Sequence, residues 1–346
     1  MNEWLTDFGM FLAQVLSLVV IGGLVVAVVV KARGEVGERT RLRIEELNTN
    51  REHRRRRLTM AASEPGERKR LLKGFRKDDK SRGRRGRKGK AESRQTVWVL
   101  DFHGDIRASA TGRLGEEVSA LLDAADGGDE VVIRLESAGG LVHAYGLAAA
   151  ELDRLREAGL RTTVCVDKVA ASGGYLMACG ADQLRAAPFA VLGSIGVVAQ
   201  LPNVHRLLKR HDIDVELLTA GRYKRTLTVF GENTEEGREK FREDLEGIHS
   251  LFKRHVAERR RHLDIEAVAT GEVWYGSEAL EQGLVDALGT SEAYLAERMK
   301  DARVIGLKLE PKRKLGERLG MAVSRGVERA VERGLEVLDA SRWQKR

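Results

Sequence analysis

The chain has 346 residues with 60 Lys+Arg against 52 Asp+Glu, a net charge of +8, and 42% hydrophobic residues. That length allows about two domains, or one large domain with appendages. The two cysteines, Cys165 and Cys179, lie inside apolar segments, match no metal-ligand spacing and read as buried thiols. With no CxxC pair or His/Cys cluster they argue against a zinc site.

At the N-terminus, Phe8 to Val30 is a run of 23 residues without a charge, and the only ionisable groups before it are Glu3 and Asp7. Roughly 20 apolar residues cross a bilayer, so residues 1–30 are predicted to form a transmembrane helix. A cleaved secretory signal would carry a positive start, a shorter apolar core and a small-residue cleavage site, and none is present. The expectation is an uncleaved anchor, with the lipid bilayer as a partner.

Residues 31–95 follow as a basic linker. Lys31 to Arg94 carries a net +14, Gln95 to Met299 a net −10 and Lys300 to Arg346 a net +6, so an acidic central domain is flanked by basic arms. "REHRRRRL" and "KDDKSRGRRGRKGK" lack the apolar surface to offset chain entropy, which predicts a largely disordered linker. Clustered Arg and Lys neutralise phosphates. Without interleaved aromatics, and next to a membrane helix, anionic lipid headgroups or plain solvation are the expected surroundings, and nucleic acid is not an expected partner.

From Thr96 strands and helices alternate. "TVWVLDFHGDI" reads as a strand, "LGEEVSALLDAAD" as a helix, "DEVVIRLESAGG" as a buried strand running into two glycines, "LAAAELDRLREAG" as a helix closed by glycine, and "LRTTVCVDKVA" as another strand. This order predicts a layered α/β fold with mainly parallel pairing, whose sites form at the turns beyond the carboxyl ends of strands. Two of those turns stand out. In "ESAGGLVHAYG", Gly139 and Gly140 follow the strand Val131 to Leu135. In "VAASGGYLMA", Ser172, Gly173 and Gly174 precede a helix.

Glycines let backbone N–H groups approach a ligand without a Cβ in the way, and a helix start offers free N–H groups. Together they suit an oxyanion hole with Ser172 aimed at the same point. Ser-Gly-Gly after a strand is also a common turn. The combination with later elements raises the functional reading: Ser194 lies in the glycine-flanked "GSIG", and Lys224 in a turn after the strand-like "IDVELLT". A lysine base must be neutral, which burial favours, and a hydroxyl such as that of Ser194 can orient it. Leu141, Val142 and Ile195 are candidates either for substrate pockets or for core, with core slightly favoured.

"SAGG", "ASGGY", "GSIGV" and "AGRYKRTLT", in that order from about Thr96 to Leu295, resemble the S49 family of Ser-Lys serine proteases, the signal peptide peptidase family. "YKRTLTVFGENTEEGREKFREDLEGIHSLFK" and "LDIEAVATGEVWYGSEALEQGLVD" are similar to its bacterial SohB branch. The resemblance implies Ser172 as nucleophile, Lys224 as general base, Ser194 as the hydroxyl that orients the lysine, and the N–H groups of Gly139 and Gly173 as the oxyanion hole. Ala138 stands where family members usually carry proline or a similar small residue. The implied fold is the ClpP/crotonase-like α/β architecture, a repeated β-β-α spiral, in residues 96–300. The implied substrate is a peptide or protein, and the implied assembly a homo-oligomeric ring whose neighbouring subunits complete active sites or substrate grooves. No cofactor and no metal is called for, and no histidine is required. His205 and His211 read as solvent-facing positions of a helix.

Residues 301–346 form the basic tail, with Leu315, Leu319, Val323, Val327, Val331, Leu335 and Leu338 on one helical stripe suited to a membrane or a neighbouring subunit. Two other classes remain open beside the protease. A crotonase-like enzyme acting on CoA thioesters would share the fold without needing the Ser172 and Lys224 pair. A catalytically silent membrane scaffold would be expected to have lost one of the two. For orientation the indications oppose each other. Five Lys+Arg within Lys31 to Asn50 place the bulk of the chain in the cytoplasm, whereas the resemblance implies, for many members, a catalytic domain on the outer face of the bacterial inner membrane.

Overall fold

The computed structural model of the chain describes residues 40–87 and 95–311. The apolar run read as an anchor and the apolar stripe of the tail lie outside those residues. Among the described residues no helix is long and apolar enough to cross a membrane. The chain divides into two units, Met1–Leu42 with Leu309–Arg346, and Arg43–Lys308. Of the first, the described residues are the outer ends of two strands; the second holds the helices and the body of the sheet.

β1 (Thr40–Glu46) leads into α1 (Leu47–Ala62) and α2 (Pro65–Arg87). Composition predicts disorder here, and the structure shows two helices instead. The reason is positional. Glu52 pairs with Arg55 at 3.2 Å and Arg56 at 3.0 Å, one turn further on. Arg56 also reaches Asp79 of α2 at 2.8 Å and lies 5.0 Å from the Phe75 ring centre. Asn48 donates to the carbonyls of Met299 and Ala302, tying α1 to the domain. Net charge alone carries none of this registration.

β2 (Thr96–Gly104), α3 (Thr111–Leu122), β3 (Glu130–Ser137), α4 (Val142–Glu157) and β4 (Arg161–Val166) lie where the alternation predicts them. Next come β5 (Val169–Ala171), α5 (Gly173–Ala178), β6 (Gln183–Ala186), β7 (Val191–Gly193) and α6 (His205–Arg210). The long α7 (Glu235–Arg259) precedes α8 (Ile265–Val268), β8 (Val273–Tyr275), α9 (Gly276–Glu281), β9 (Ala287–Leu288), α10 (Ser291–Asp301) and β10 (Arg303–Pro311). "IDVELLT" is not a strand. Ile213, Val215, Leu217 and Leu218 are exposed, and no neighbouring strand pairs with the segment.

The sheet runs β1-β10-β2-β3-β4-β6-β9, and from β10 to β9 its pairs are parallel. Parallel strands are covered on both faces and read as near-continuous apolar runs. In β3, Val131 and Ile133 face the α3 and α4 side with Leu100 and Phe102, while Val132 faces the other way with Val97, Val99 and Leu295 of α10. Cys165 and Cys179 are buried free thiols, pushed up to about 12 by loss of solvation.

β5 leaves the main path. It pairs with the last residue of β3, Ser137 opposite Ala170, then with β7, which in turn pairs antiparallel with β8. The segment read as one strand is therefore two, and Ser172 follows β5 rather than β4. β4-β5-α5 and β6-β7-α6 are successive β-β-α units.

Candidate active site

β5 and β7 run parallel with Ala171 opposite Gly193. Ser172 and Ser194 are the next residue on each, and both have φ of 50°. A positive φ is uncommon outside glycine and asparagine-like residues and is sustained only where the surroundings enforce it. At Ser172 the enforcement is visible. Its N–H donates to the Gly193 carbonyl at 2.8 Å, while its own carbonyl accepts the first α5 bond from Leu176 at 3.0 Å. The chain thus turns from strand to helix within one residue, leaving the side chain half-buried.

The turn after β3 meets this one. Gly139 has φ of 89°, and a methyl group there would lie 2.7 Å from both the Gly173 nitrogen and Ser172 Cβ, and 2.8 Å from the Ala171 carbonyl oxygen. Glycine alone satisfies both the conformation and the space. A side chain at Gly173 would run into the Tyr145 ring beneath it. Ser172, Gly139, Gly173 and Ser194, read separately from the sequence, therefore converge. The N–H of Gly139 donates to Ser137 Oγ at 3.1 Å.

Ser172 opens on two cavities. One of about 340 Å³ is lined by Val142, Gly146, Leu176, Phe252 and His255. The other, of about 790 Å³, brings Ser172, Ser194 and Gly139 together with Leu141, Arg242 and His249. Leu141 and Val142 are 44% and 48% exposed, so they line the site rather than the core, whereas Ile195 is fully buried. Among the described residues no group of three or more His, Cys, Asp or Glu is placed to hold a metal ion.

Lys224 stands apart. It is exposed in a turn closed by its own N–H donating to the Gly221 carbonyl at 3.1 Å, and it lines neither cavity. Its neighbours tether to the start of α7: Arg222 pairs with Glu236 at 2.7 Å, and Lys240 lies 5.7 Å from the Tyr223 ring centre. His205, with Nδ1 3.3 Å from the Phe230 carbonyl, and exposed His211 also lie outside both cavities.

The wall supplied by α7 was missed in the residue-by-residue reading. Arg242, Leu245, Glu246 and His249 face one cavity, and Ile248, Leu251, Phe252, His255 and Glu258 the other. Their three- and four-residue spacing was the available signal. Two histidines on this wall hold backbone: His249 Nε2 lies 3.1 Å from the Ile195 carbonyl and His255 Nε2 3.0 Å from the Leu176 carbonyl. A carbonyl only accepts, so each Nε2 carries the proton. Loss of solvation, followed by the charge of Arg259, holds His255 below the ordinary imidazole range.

A serine on a strained strand-to-helix turn, backed by two glycine turns and facing a groove, marks an α/β protein with a candidate hydrolase-type site. Residues 154–305 match Peptidase family S49, and residues 3–152 match Peptidase family S49 N-terminal. The chain belongs to peptidase family S49. It is 45% identical to the "Probable protease SohB" of Haemophilus influenzae over 92% of this chain and 93% of that one. It is 51% identical to the "Probable protease SohB" of Buchnera aphidicola subsp. Acyrthosiphon pisum over 67% of this chain and 69% of that one. A third relative of that name, from Buchnera aphidicola subsp. Schlechtendalia chinensis, is 56% identical over 58% of this chain and 66% of its own length.

Proposed function

We propose that this chain is a membrane-anchored serine endopeptidase that cleaves peptides or membrane-protein fragments through an acyl-enzyme, with Ser172 as nucleophile and Lys224 as general base. The observation that carries the reading is the convergence of the strained Ser172 turn with Gly139 and Gly173 at the mouth of two cavities. In the mechanism, neutral Lys224 takes the Ser172 proton as Oγ attacks the peptide carbonyl. The N–H groups of Gly139 and Gly173 hold the oxyanion, and the leaving amine takes a proton from the lysine. Water, deprotonated by the Lys224 amine so regenerated, then releases the acyl group. Ser194, beside Ser172 in the larger cavity, orients the amine.

Lys224 of the same chain lines neither cavity. The reading therefore assigns the base to a neighbouring subunit of a homo-oligomeric ring, consistent with the exposed Leu217, Leu218, Tyr223 and Phe230 around it. The fold is read as ClpP/crotonase-like on its successive β-β-α units. The apolar 1–30 segment is assigned to the bacterial inner membrane.

The experiment is hydrolysis of casein by the purified full chain beside Ser172→Ala and Lys224→Ala. Loss of several orders of magnitude in both variants, with folding preserved, supports the dyad. Cleavage undiminished in either variant sinks it.

A further inference from the structure

Tyr145 is completely buried, and the reading of Ser172 and Lys224 gives it no role. Its position is nonetheless singular. The ring lies under Gly173, close enough that any side chain at that glycine would strike it. Its hydroxyl donates to the Asp105 carbonyl at 2.7 Å and lies 2.5 Å from Ser137 Oγ. A phenol has one proton to give. With that proton on Asp105, the Ser137 hydroxyl donates to the tyrosine oxygen at 2.5 Å in preference to its much longer 3.4 Å approach to the Gly104 carbonyl. Ser137 Oγ is then free to accept the Gly139 N–H at 3.1 Å. A single polar chain thus runs from the Gly139 amide through Ser137 and Tyr145 to the Asp105 backbone. Burial pushes the Tyr145 phenol above its ordinary range, which keeps the donor protonated.

We propose that Tyr145 and Ser137 are positioning residues for the oxyanion hole, one tyrosine setting both donors: its ring fixes the height of Gly173, and its hydroxyl, through Ser137, fixes the direction of the Gly139 N–H. This rests on the protease reading of Ser172. Gly139 has positive φ and no side chain of its own to hold its amide, and its N–H is taken by Ser137 Oγ. Ser137 supplies an acceptor that keeps this N–H from swinging away before a substrate carbonyl arrives. The oxyanion that forms during acylation then takes the N–H. Ser137 itself is held from behind, because its backbone carbonyl sits where a Gly174 side chain would be. Neither residue touches the substrate.

The test uses the full-length protein in three forms: Tyr145→Phe, Ser137→Ala and the double variant. Tyr145→Phe keeps the ring under Gly173 and deletes only the hydroxyl. Removing an oxyanion donor outright costs about 10²–10³ in kcat. A donor left in place but misdirected is expected to cost about 10- to 100-fold, with KM unchanged within about twofold. Because the two residues act in series, the double variant is expected to be no slower than the slower single variant. A fluorophosphonate probe supplies a second readout: Ser172 labelling is expected to slow in parallel with kcat in each variant.

Unchanged kcat and labelling in folded Tyr145→Phe overturn the inference, and so does multiplication of the two single effects in the double variant. Should Tyr145→Phe not fold, Ser137→Ala decides by the same readouts. If wild type is labelled at Ser172 but the variants do not differ from it, the positioning role falls and the protease reading stands. If wild type is neither labelled nor active, both fall.

Discussion

Ser172 and Ser194 occupy equivalent places, each one residue beyond the end of paired parallel strands, with the same φ of 50° and the Ser172 N–H on the carbonyl of Gly193. Two neighbouring strained serines are what a folded framework must hold against local preference. A non-glycine residue in such a region costs about 1–3 kcal/mol. Glycine recovers that strain but loses about 0.5–1 kcal/mol to the freedom of its unfolded chain. Ser172→Gly is therefore expected to melt higher than Ser172→Ala, which keeps the strain, by a few degrees. Both variants should be inactive. Equal melting temperatures in calorimetry would show that the strain is no larger than the glycine's own entropic cost of about 0.5–1 kcal/mol.

Assignment of Lys224 to a neighbouring subunit makes a distinct prediction. Ser172→Ala and Lys224→Ala, each inactive alone, are expected to regain activity when denatured together and refolded as a mixed ring. About a quarter of wild-type activity is the ceiling for random mixing, because a site then needs one intact serine chain beside one intact lysine chain. A dyad built within one chain would show no recovery, since every subunit lacks one partner.

Gly146 lies on α4 facing the smaller cavity, and a Cβ there would meet nothing within 4 Å. Gly146→Leu therefore fills the cavity without overpacking the core, and stability should rise by up to about 1 kcal/mol from the gain in helix propensity. Substrate binding should suffer instead. The expected outcome is a KM for casein-derived peptides raised about tenfold or more at an undiminished melting temperature. An unchanged KM would remove this cavity from the substrate path.

His255 sets a pH dependence of stability. Its folded value is depressed from 6.5, first by loss of solvation and then by Arg259, while the hydrogen bond to the Leu176 carbonyl, then Asp153 and Glu258, act in the opposite direction. The unfolded chain therefore binds the proton more readily than the folded one. The stabilising contribution is complete above the unfolded value of 6.5 and is lost as pH falls from there through the depressed folded value. His255→Gln, whose amide can still donate to the Leu176 carbonyl, is expected to flatten the stability curve over the acid range below about pH 6.5. Denaturant titrations across that range that superimpose for variant and wild type would exclude His255 as the titrating group.

Much of the site was legible because its signals are local. Glycine pairs straight after apolar strands mark backbone that needs unusual φ or close approach, and Gly139 and Ser172 have the positive φ such turns imply. β2, β3 and β4 announce themselves as apolar runs between glycine-bearing turns. Where the reading failed, the deciding contacts were long-range. The strand-like "IDVELLT" has the right residues but no strand beside it. The basic linker has a disorder-like composition, but Glu52, Arg56 and Asp79 are in register across two helices. α7 showed its helical spacing, yet nothing local said that Phe252 and His255 would face Ser172.

The sequence by itself determined the α/β alternation, the glycine turns that free the backbone at Gly139 and Gly173, and the family to which the chain belongs. Those follow from hydrophobic period, from the conformational range of glycine and from ordered motifs, all readable along the chain. Only the tertiary structure decided that β5 leaves the main sheet path and pairs with the end of β3, setting Ser172 against Gly139, that α7 closes the groove, and that Tyr145 lies under Gly173 with its hydroxyl on Ser137. It also decided that Lys224 stays outside the cavities of its own chain. Each depends on residues tens of positions apart meeting in space, which strand pairing and core packing settle and no local pattern encodes.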